Sequence, residues 1–491
     1  MEHVDVLIVG AGLSGIGAAY HLKKRSSDRS FVVFEGRENI GGTWDLFRYP
    51  GIRSDSDMFT LGYAFKPWTE GKAIADGPAI LKYINETASE NNIRERIRFR
   101  HWVKRATWDE DHWLVEAETD EGTVNISCNF LLMCSGYYNY EHGYTPEFEG
   151  KERFHGPIIH PQQWPEDLDY VNKKVLVIGS GATAMTIVPE MSHTASHVTM
   201  LQRSPTYVVS MPSENRFANW LRQYSENLSY FISRWKSVIL GWLLFTYSRK
   251  RPEEIKNWLV GMVRRELGSD FDIEKHFTPN YNPWDQRICL VPDADLFEAI
   301  RGGKVAVVTD HIETFTESGV MLKSGKQLDA DLIVTATGLD IKVAGGIDLI
   351  VDGQSVDVSE VMTYKGMMLE DVPNAAIVMG YTNASYTLKA DLTSAFVCRL
   401  LNYMRRHDYT ACCPRNHEET IEREPIINFT SGYIQRAIHK LPKQGSRSPW
   451  RLYQNYFLDL ITLGYGSIAD STMEFSSSKP QDEPSPPKVA G

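Results

Sequence analysis

Cysteine is scarce. Six residues in a chain of 491 cannot build a disulfide framework, and no pair is spaced CxxC or CxxxxC. Only Cys412 and Cys413 are neighbours, far from any nucleotide-binding motif, which argues against a redox dithiol. Positive charge is also short: 52 Lys and Arg face 63 Asp and Glu, giving a formal charge of −11 and no basis for capturing nucleic acid. No apolar run approaches the roughly 18 to 20 residues that span a bilayer. Nothing after Met1 reads as a secretory signal, so a cytoplasmic protein is expected. The 14 His show no metal-ligand spacing, and no metal is expected. What is present is ordinary for a globular protein, with 42% hydrophobic and 23% charged residues. The 12 Trp in an aromatic fraction of 11% point to large, flat ligands.

The chain opens with an apolar run, Val4 to Val9, which reads as a buried parallel strand. Gly10-Ala11-Gly12-Leu13-Ser14-Gly15 follows, then a helical pattern to Lys24 and a strand, Phe31 to Phe34, ending in Glu35. The same grammar returns in the strand Lys174 to Ile178, the turn Gly179-Ser180-Gly181-Ala182-Thr183-Ala184, a helix to Ser192, and the strand Val198 to Leu201. Two further strands, Phe130 to Gly136 and Leu332 to Gly338, run into Gly turns. This predicts an α/β fold with two doubly wound, Rossmann-like dinucleotide-binding domains; two such sites in one chain usually mean that a nicotinamide reduces a flavin, so the first is read for FAD and the second, on the ground given below, for NADP. Residues 1–145 form the first part of the FAD-binding domain and 146–340 the NADP-binding domain, with a helical insertion at about 212–285. Residues 341–473 return to the FAD-binding domain, with a strand at Ala375 to Met379 and a helix at Leu388 to Arg406, and 474–491 are a disordered tail.

Each motif position has a physical reason. Gly10 makes a tight turn, Gly12 lets backbone approach a pyrophosphate, and Gly15 lets helix and strand pack closely. Glu35 is placed to accept hydrogen bonds from ribose hydroxyls. In the second copy Gly179 and Gly181 play the same parts and Ala184 replaces the third glycine. The strand then ends in Gln202-Arg203-Ser204 rather than an acid. A carboxylate there would repel a 2′-phosphate, whereas Arg203 binds one, so NADP rather than NAD is expected.

Two further stretches are informative: Gly41-Gly42-Thr43-Trp44 leading to Tyr49-Pro50-Gly51-Ile52-Arg53-Ser54-Asp55, and Phe154 to Pro165, which reads FxGxxxHxxxWP. Here the sequence resembles the type I Baeyer–Villiger monooxygenases, matching both of their signatures at every specified position. The resemblance implies FAD and NADPH as cofactors, with O2 and a small hydrophobic ketone or sulfur-containing molecule as substrates. It implies that Arg287 favours an anionic C4a-peroxide on the flavin and that Asp55 orients Arg287. Trp44, Phe47 and Tyr49 are read as packing near the flavin, with Trp44 alone taken as a cofactor contact and a plain core cluster as the alternative. The resemblance also implies that His160 couples domain motion to nicotinamide binding without acting as a proton-transfer base. Many relatives carry Lys before the arginine, whereas this chain has Gln286, which leaves more of the NADP preference to Arg203. The implied reaction converts ketones to esters and oxidises thioethers or thioamides at sulfur. S- or N-oxidation or alkane hydroxylation as the main role is the alternative. A flavin reductase without oxygen insertion is a further class.

One stretch stands apart. Tyr230 to Tyr247 holds an apolar run through Trp242, flanked by Arg234, Lys236, Arg249, Lys250 and Arg251. A buried helix lining the substrate entrance is the favoured reading. The other is an amphipathic helix in peripheral contact with a membrane.

Overall fold

The computed structural model describes residues 1–427 and 429–477. The first strand, Glu2–Val9, is buried over its last four residues, as a parallel strand covered on both faces must be. It pairs in parallel with Phe31–Phe34 on one side and with the end of Gly122–Met133 on the other. Ala375–Ile377 adds in parallel beyond Gly122–Met133, and Asp348–Val351 pairs with Trp102–Asp109. The resulting nine-stranded sheet therefore draws on two separated parts of the chain. Helix Leu13–Arg25 lies against helix Tyr386–Arg406, with Ile16, Ala18 and Leu22 in one core with Phe396, Leu400 and Leu401. Each of the larger of these side chains contributes about 1.5–3 kcal/mol on burial.

A second sheet has five strands in the order Val305–Thr309, His197–Gln202, Lys174–Ile178, Leu332–Thr335 and Ile158–Ile159, all paired in parallel. Its core includes Val177, Ile187, Val198 and Val334. Helices Arg216–Arg222, Glu226–Lys250, Pro252–Leu267 and Ile273–Phe277 occupy the interval between the strands ending at Met211 and beginning at Cys289.

The helix around Trp242 differs from the buried entrance helix favoured by the sequence. It runs Glu226–Lys250 and buries Ser229, Tyr230, Ser233, Arg234, Val238 and Ser248. Phe231, Ile239, Leu240, Trp242, Leu243 and Tyr247 are exposed instead. Arg234 explains the orientation, because its Nη1 donates to the carbonyl oxygens of Phe59 (2.7 Å) and Gly62 (2.8 Å). The side carrying those bonds faces the protein, so Arg234 is not one of the surface cations. No helix among the described residues is long and apolar enough to cross a membrane.

The expected tail also begins later. Met473–Ser476 is a strand, antiparallel to Ala411–Pro414, because Met473 is buried and packs with Cys412 in the first core. The rest of the tail, from residue 478, lies outside the described residues.

Candidate active site

The first glycine turn is as tight as its motif requires. Gly10 has φ 105°, and a Cβ there would lie 2.6 Å from the Cys134 carbonyl oxygen. A Cβ on Gly15 would lie 1.8 Å from the Gly10 carbonyl oxygen. Gly12 caps helix Leu13–Arg25 without a side chain, so the first-turn N–H groups face a cavity of about 270 Å³. Gly10, Gly12, Glu35, Trp44, Asp55 and Arg287 all line it. Glu35 accepts the N–H of Ala11 (2.7 Å) and of Arg37 (2.9 Å). Burial raises its pKa, and those two bonds oppose the shift. A bare helix N-terminus, two close glycines and a fixed carboxylate fit a dinucleotide's phosphates and ribose.

The second turn is built alike. A Cβ on Gly179, at φ 140°, would lie 2.2 Å from the Ala336 carbonyl oxygen. Gly181 caps helix Ala182–Met191 without a side chain, and a Cβ there would meet nothing within 4 Å. Ala184 is fully buried in the second core. Arg203 and Ser204 are exposed at the end of their strand. Ser180 Oγ donates to the Ser204 carbonyl oxygen at 3.1 Å, which ties the glycine turn to the arginine's neighbour. Among the described residues Arg203 makes no ion pair.

Asp55 and Arg287, separated by 232 residues, meet at 2.5 Å. The Asp55 carboxylate is the main reason that the Arg287 pKa stands well above its ordinary value, and burial opposes it. Tyr137, Tyr433 and Tyr138 also face this guanidinium. Burial pushes the Tyr433 hydroxyl up to about 12, so it stays protonated at neutral pH. Arg287 lines a second cavity as well, of about 80 Å³, with walls that include Val343, Ile377, Phe429, Ile434 and Leu452. The loop that carries Arg287 is pinned by Thr430, whose N–H and Oγ1 both donate to the Asp285 carbonyl oxygen.

His160 sits apart from that pair. Its Nε2 lies 3.1 Å from the Gly338 carbonyl oxygen, and its Nδ1 accepts the Gln162 N–H at 3.2 Å. Those partners assign the neutral tautomer protonated on Nε2, and burial lowers its pKa in the same sense. Phe47 and Tyr49 are not among the residues lining the first cavity. Both line a small cleft with His160 and Thr183 and belong to the second core, while Trp44 alone of the three lines the first cavity. The chain is drawn there by Gly51, whose backbone lies against Thr186 and Glu190 of helix Ala182–Met191.

Sequence reasoning missed the tyrosines around Arg287. Tyr137 and Tyr138 follow Gly136 directly, and a turn at a strand's carboxyl end was the available signal. It also missed the ion pair of Arg53 with Asp295, which joins the Asp55 loop to the second sheet's side.

Comparison with known proteins agrees with this geometry. A family model described as flavin-binding monooxygenase-like matches residues 73–406, and one for an NAD(P)-binding Rossmann-like domain matches residues 8–68. The chain is 53% identical over 479 residues to the "FAD-containing monooxygenase EthA" of Mycolicibacterium smegmatis, covering 97% of each chain. It is 48% identical to the "Probable FAD-binding monooxygenase AlmA" of Acinetobacter baylyi, covering 96% of each. The structure resembles an oxidized steroid monooxygenase bound to NADP, with a TM-score of 0.77 at 22% identity over 97% of this chain and 100% of that one. It also resembles an open cyclohexanone monooxygenase, with a TM-score of 0.75 at 19% identity over 97% and 100% of the two chains. At those identities the likeness establishes the fold.

Proposed function

Because the chain belongs to the FMO-like family of flavin-binding monooxygenases, we propose that it is an FAD-dependent, NADPH-consuming monooxygenase of the Baeyer–Villiger type. It inserts one oxygen atom from O2 beside the carbonyl of a hydrophobic ketone, giving an ester, and oxidises thioethers or thioamides at sulfur. The nine-stranded sheet is read as the FAD unit and the five-stranded sheet as the NADP unit, with the helices of 216–277 inserted in the latter.

The observation that carries the reading is Arg287, which lines both the glycine-rich cavity and the apolar one. FAD reduced by NADPH supplies electrons and activates O2. Arg287 holds a permanent positive charge at the boundary, where negative charge develops on oxygen as a carbonyl is attacked. Asp55 fixes its orientation, and the protonated Tyr433 adds a donor. Removing one such preorganised group typically costs about 10²–10³ in rate. The apolar walls admit a hydrocarbon chain and exclude water. Neutral His160 holds the Gly338 turn and is a positioning residue.

The test is isotopic. Holoenzyme, NADPH, ¹⁸O2 and a long-chain ketone are expected to give an ester carrying one labelled oxygen, read by mass spectrometry. NADPH oxidation that yields only hydrogen peroxide refutes a monooxygenase, and labelled sulfoxide without ester moves the main role to sulfur.

A lipid surface completes this reading. The exposed face of helix Glu226–Lys250 continues through the contact of Trp242 with Phe457 to Leu458, Ile461 and Tyr465. Apart from the buried Arg234, residues 216–251 hold six basic residues and one acid in a chain of charge −11, a combination suited to anionic lipid. Co-sedimentation with phosphatidylglycerol vesicles, weakened in the variant Leu240→Glu/Leu243→Glu, is the expected result. Concentration-dependent dimerisation without vesicle binding would assign the face to a second copy.

A further inference from the structure

The segment that carries Arg287 leaves and returns at one residue. The Tyr207 hydroxyl donates to the Tyr281 carbonyl oxygen (2.5 Å), and the Tyr207 carbonyl oxygen accepts the Cys289 N–H (2.8 Å). Between those feet the chain is held at its tip. Asp285 Oδ1 accepts from Arg249 Nη1 (2.7 Å), and its Oδ2 accepts the Asn282 N–H (3.1 Å). The Trp284 ring meets Phe245 edge-on, with centroids 5.5 Å apart and planes at 78°. Phe245 and Arg249 lie one turn apart on helix Glu226–Lys250, whose Arg234 binds the carbonyl oxygens of Phe59 and Gly62. One helix therefore grips the chain just after Asp55 and the chain just before Arg287.

Trp284 is where this arrangement is costly. Its φ is 70°, a left-handed conformation that a bulky side chain avoids. Its Nε1 is buried with no hydrogen-bond partner among the described residues. Such strain persists only where neighbouring contacts over-determine it. Glycine would adopt that φ freely but would have no ring to set against Phe245. The Arg249–Asp285 pair is half-exposed on the arginine side, so it adds little to stability. What the two contacts fix is the place of the residues that lead into Gln286 and Arg287.

We propose that Arg249 and Trp284 are positioning residues, through which helix Glu226–Lys250 holds Arg287 against Asp55 at the boundary of the two cavities. This rests on the role given to Arg287 above. Loss of either contact lets the tip relax toward negative φ and carries the guanidinium away from the oxygen it serves. A displacement of about 1 Å at such a group can cost about a hundredfold in rate. NADPH and O2 are then converted to NADP⁺ and hydrogen peroxide, in place of one oxygen atom in product and one in water.

The test gives the holoenzyme NADPH, O2 and either 2-dodecanone or methyl phenyl sulfide, and measures oxygenated product and peroxide per NADPH consumed. Arg249→Gln is expected to lower product per NADPH by about tenfold, with peroxide rising in its place. Its melting temperature and its KM for NADPH are expected to stay as in wild type. Arg249→Lys keeps the charge and is expected to recover most of the yield. Trp284→Gly is expected to lower the yield as well, although it relieves the strained φ. The double variant Arg249→Gln/Trp284→Gly is expected to be no worse than the poorer single one, because both changes free the same tip. Should Trp284→Gly fail to fold, the two Arg249 variants decide. A lowered melting temperature with the product yield intact assigns the contacts to folding alone and overturns the proposal, as does a loss that Arg249→Lys leaves unrecovered. A wild type that gives peroxide alone with both probes refutes the monooxygenase reading, and this proposal falls with it. A coupled wild type beside an equally coupled Arg249→Gln refutes the positioning alone.

Discussion

Lys389 is almost wholly buried, with 1% of its side chain exposed, and its Nζ lies 2.8 Å from Asp459 Oδ2. Tyr381 donates to the same oxygen at 2.6 Å, so one carboxylate joins helix Tyr386–Arg406, helix Tyr456–Gly464 and the wall of the apolar cavity. Asp459→Asn would leave a buried ammonium without its counter-charge, a change that costs about 3–5 kcal/mol. Lys389→Met would strand the carboxylate with one hydroxyl donor and is expected to cost a similar amount. The double variant Lys389→Met/Asp459→Leu removes both charges together and is expected to be less destabilised than either single one. Urea unfolding followed by circular dichroism measures all three. Burial holds the Lys389 pKa below 10.5, with Asp459 opposing. In Asp459→Asn that opposition is gone and the folded value falls further. Because the unfolded chain then binds more protons than the folded one, stability rises with pH. The deficit of Asp459→Asn should therefore shrink as the pH climbs toward the ordinary lysine value of 10.5. A double variant as damaged as the two singles summed, with no pH trend, would refute the argument that pairing of the two charges holds these helices.

Other outcomes follow from the same structure. Gly15→Ala would place its Cβ 1.8 Å from the Gly10 carbonyl oxygen, so the protein is expected to purify without flavin colour; a full complement of FAD would contradict this. Gly143→Ala would put a Cβ 2.0 Å from His160 Cε1, displacing the ring from Gly338. More hydrogen peroxide per NADPH consumed is expected, measured with a peroxidase assay. Burial raises the Asp470 pKa, but the Tyr364 hydroxyl (2.7 Å) and the Lys365 ammonium (3.0 Å) outweigh it and hold the value below 3.8. That stability is present above the unfolded pKa and lost as pH falls through the folded one. Asp470→Asn is expected to cost about 1 kcal/mol at neutral pH and to flatten the acid limb of a melting-temperature profile.

The two glycine turns were legible because each requirement is local: a strand, a turn that excludes Cβ atoms and a helix lie within one short stretch. The meeting of Asp55 with Arg287 was not local, and only the resemblance to the Baeyer–Villiger family joined them in advance. The tyrosines around Arg287 carried at most the position of Tyr137 and Tyr138 after a strand-end turn, and an aromatic there suits a core as well as a site. Helix Glu226–Lys250 misled because burial was inferred from its apolar residues. Arg234, read as a flanking surface charge, is what turns the opposite side inward through bonds to backbone carbonyls.

The discontinuity of the nine-stranded sheet sets an order of events during synthesis. The last strand of the five-stranded sheet, Leu332–Thr335, leaves the ribosome before Asp348–Val351 and Ala375–Ile377 exist. Until then the carboxyl end of Gly122–Met133 lacks its outer neighbour, an open parallel edge of the kind that recruits unwanted strands. About 240 residues separate that edge from its partner, a wait of roughly 12–50 s at elongation rates of about 5–20 residues per second. The later segment can thus complete its sheet while the earlier one is still waiting, and a chain cut off before residue 375 would emerge with its oldest part unfinished.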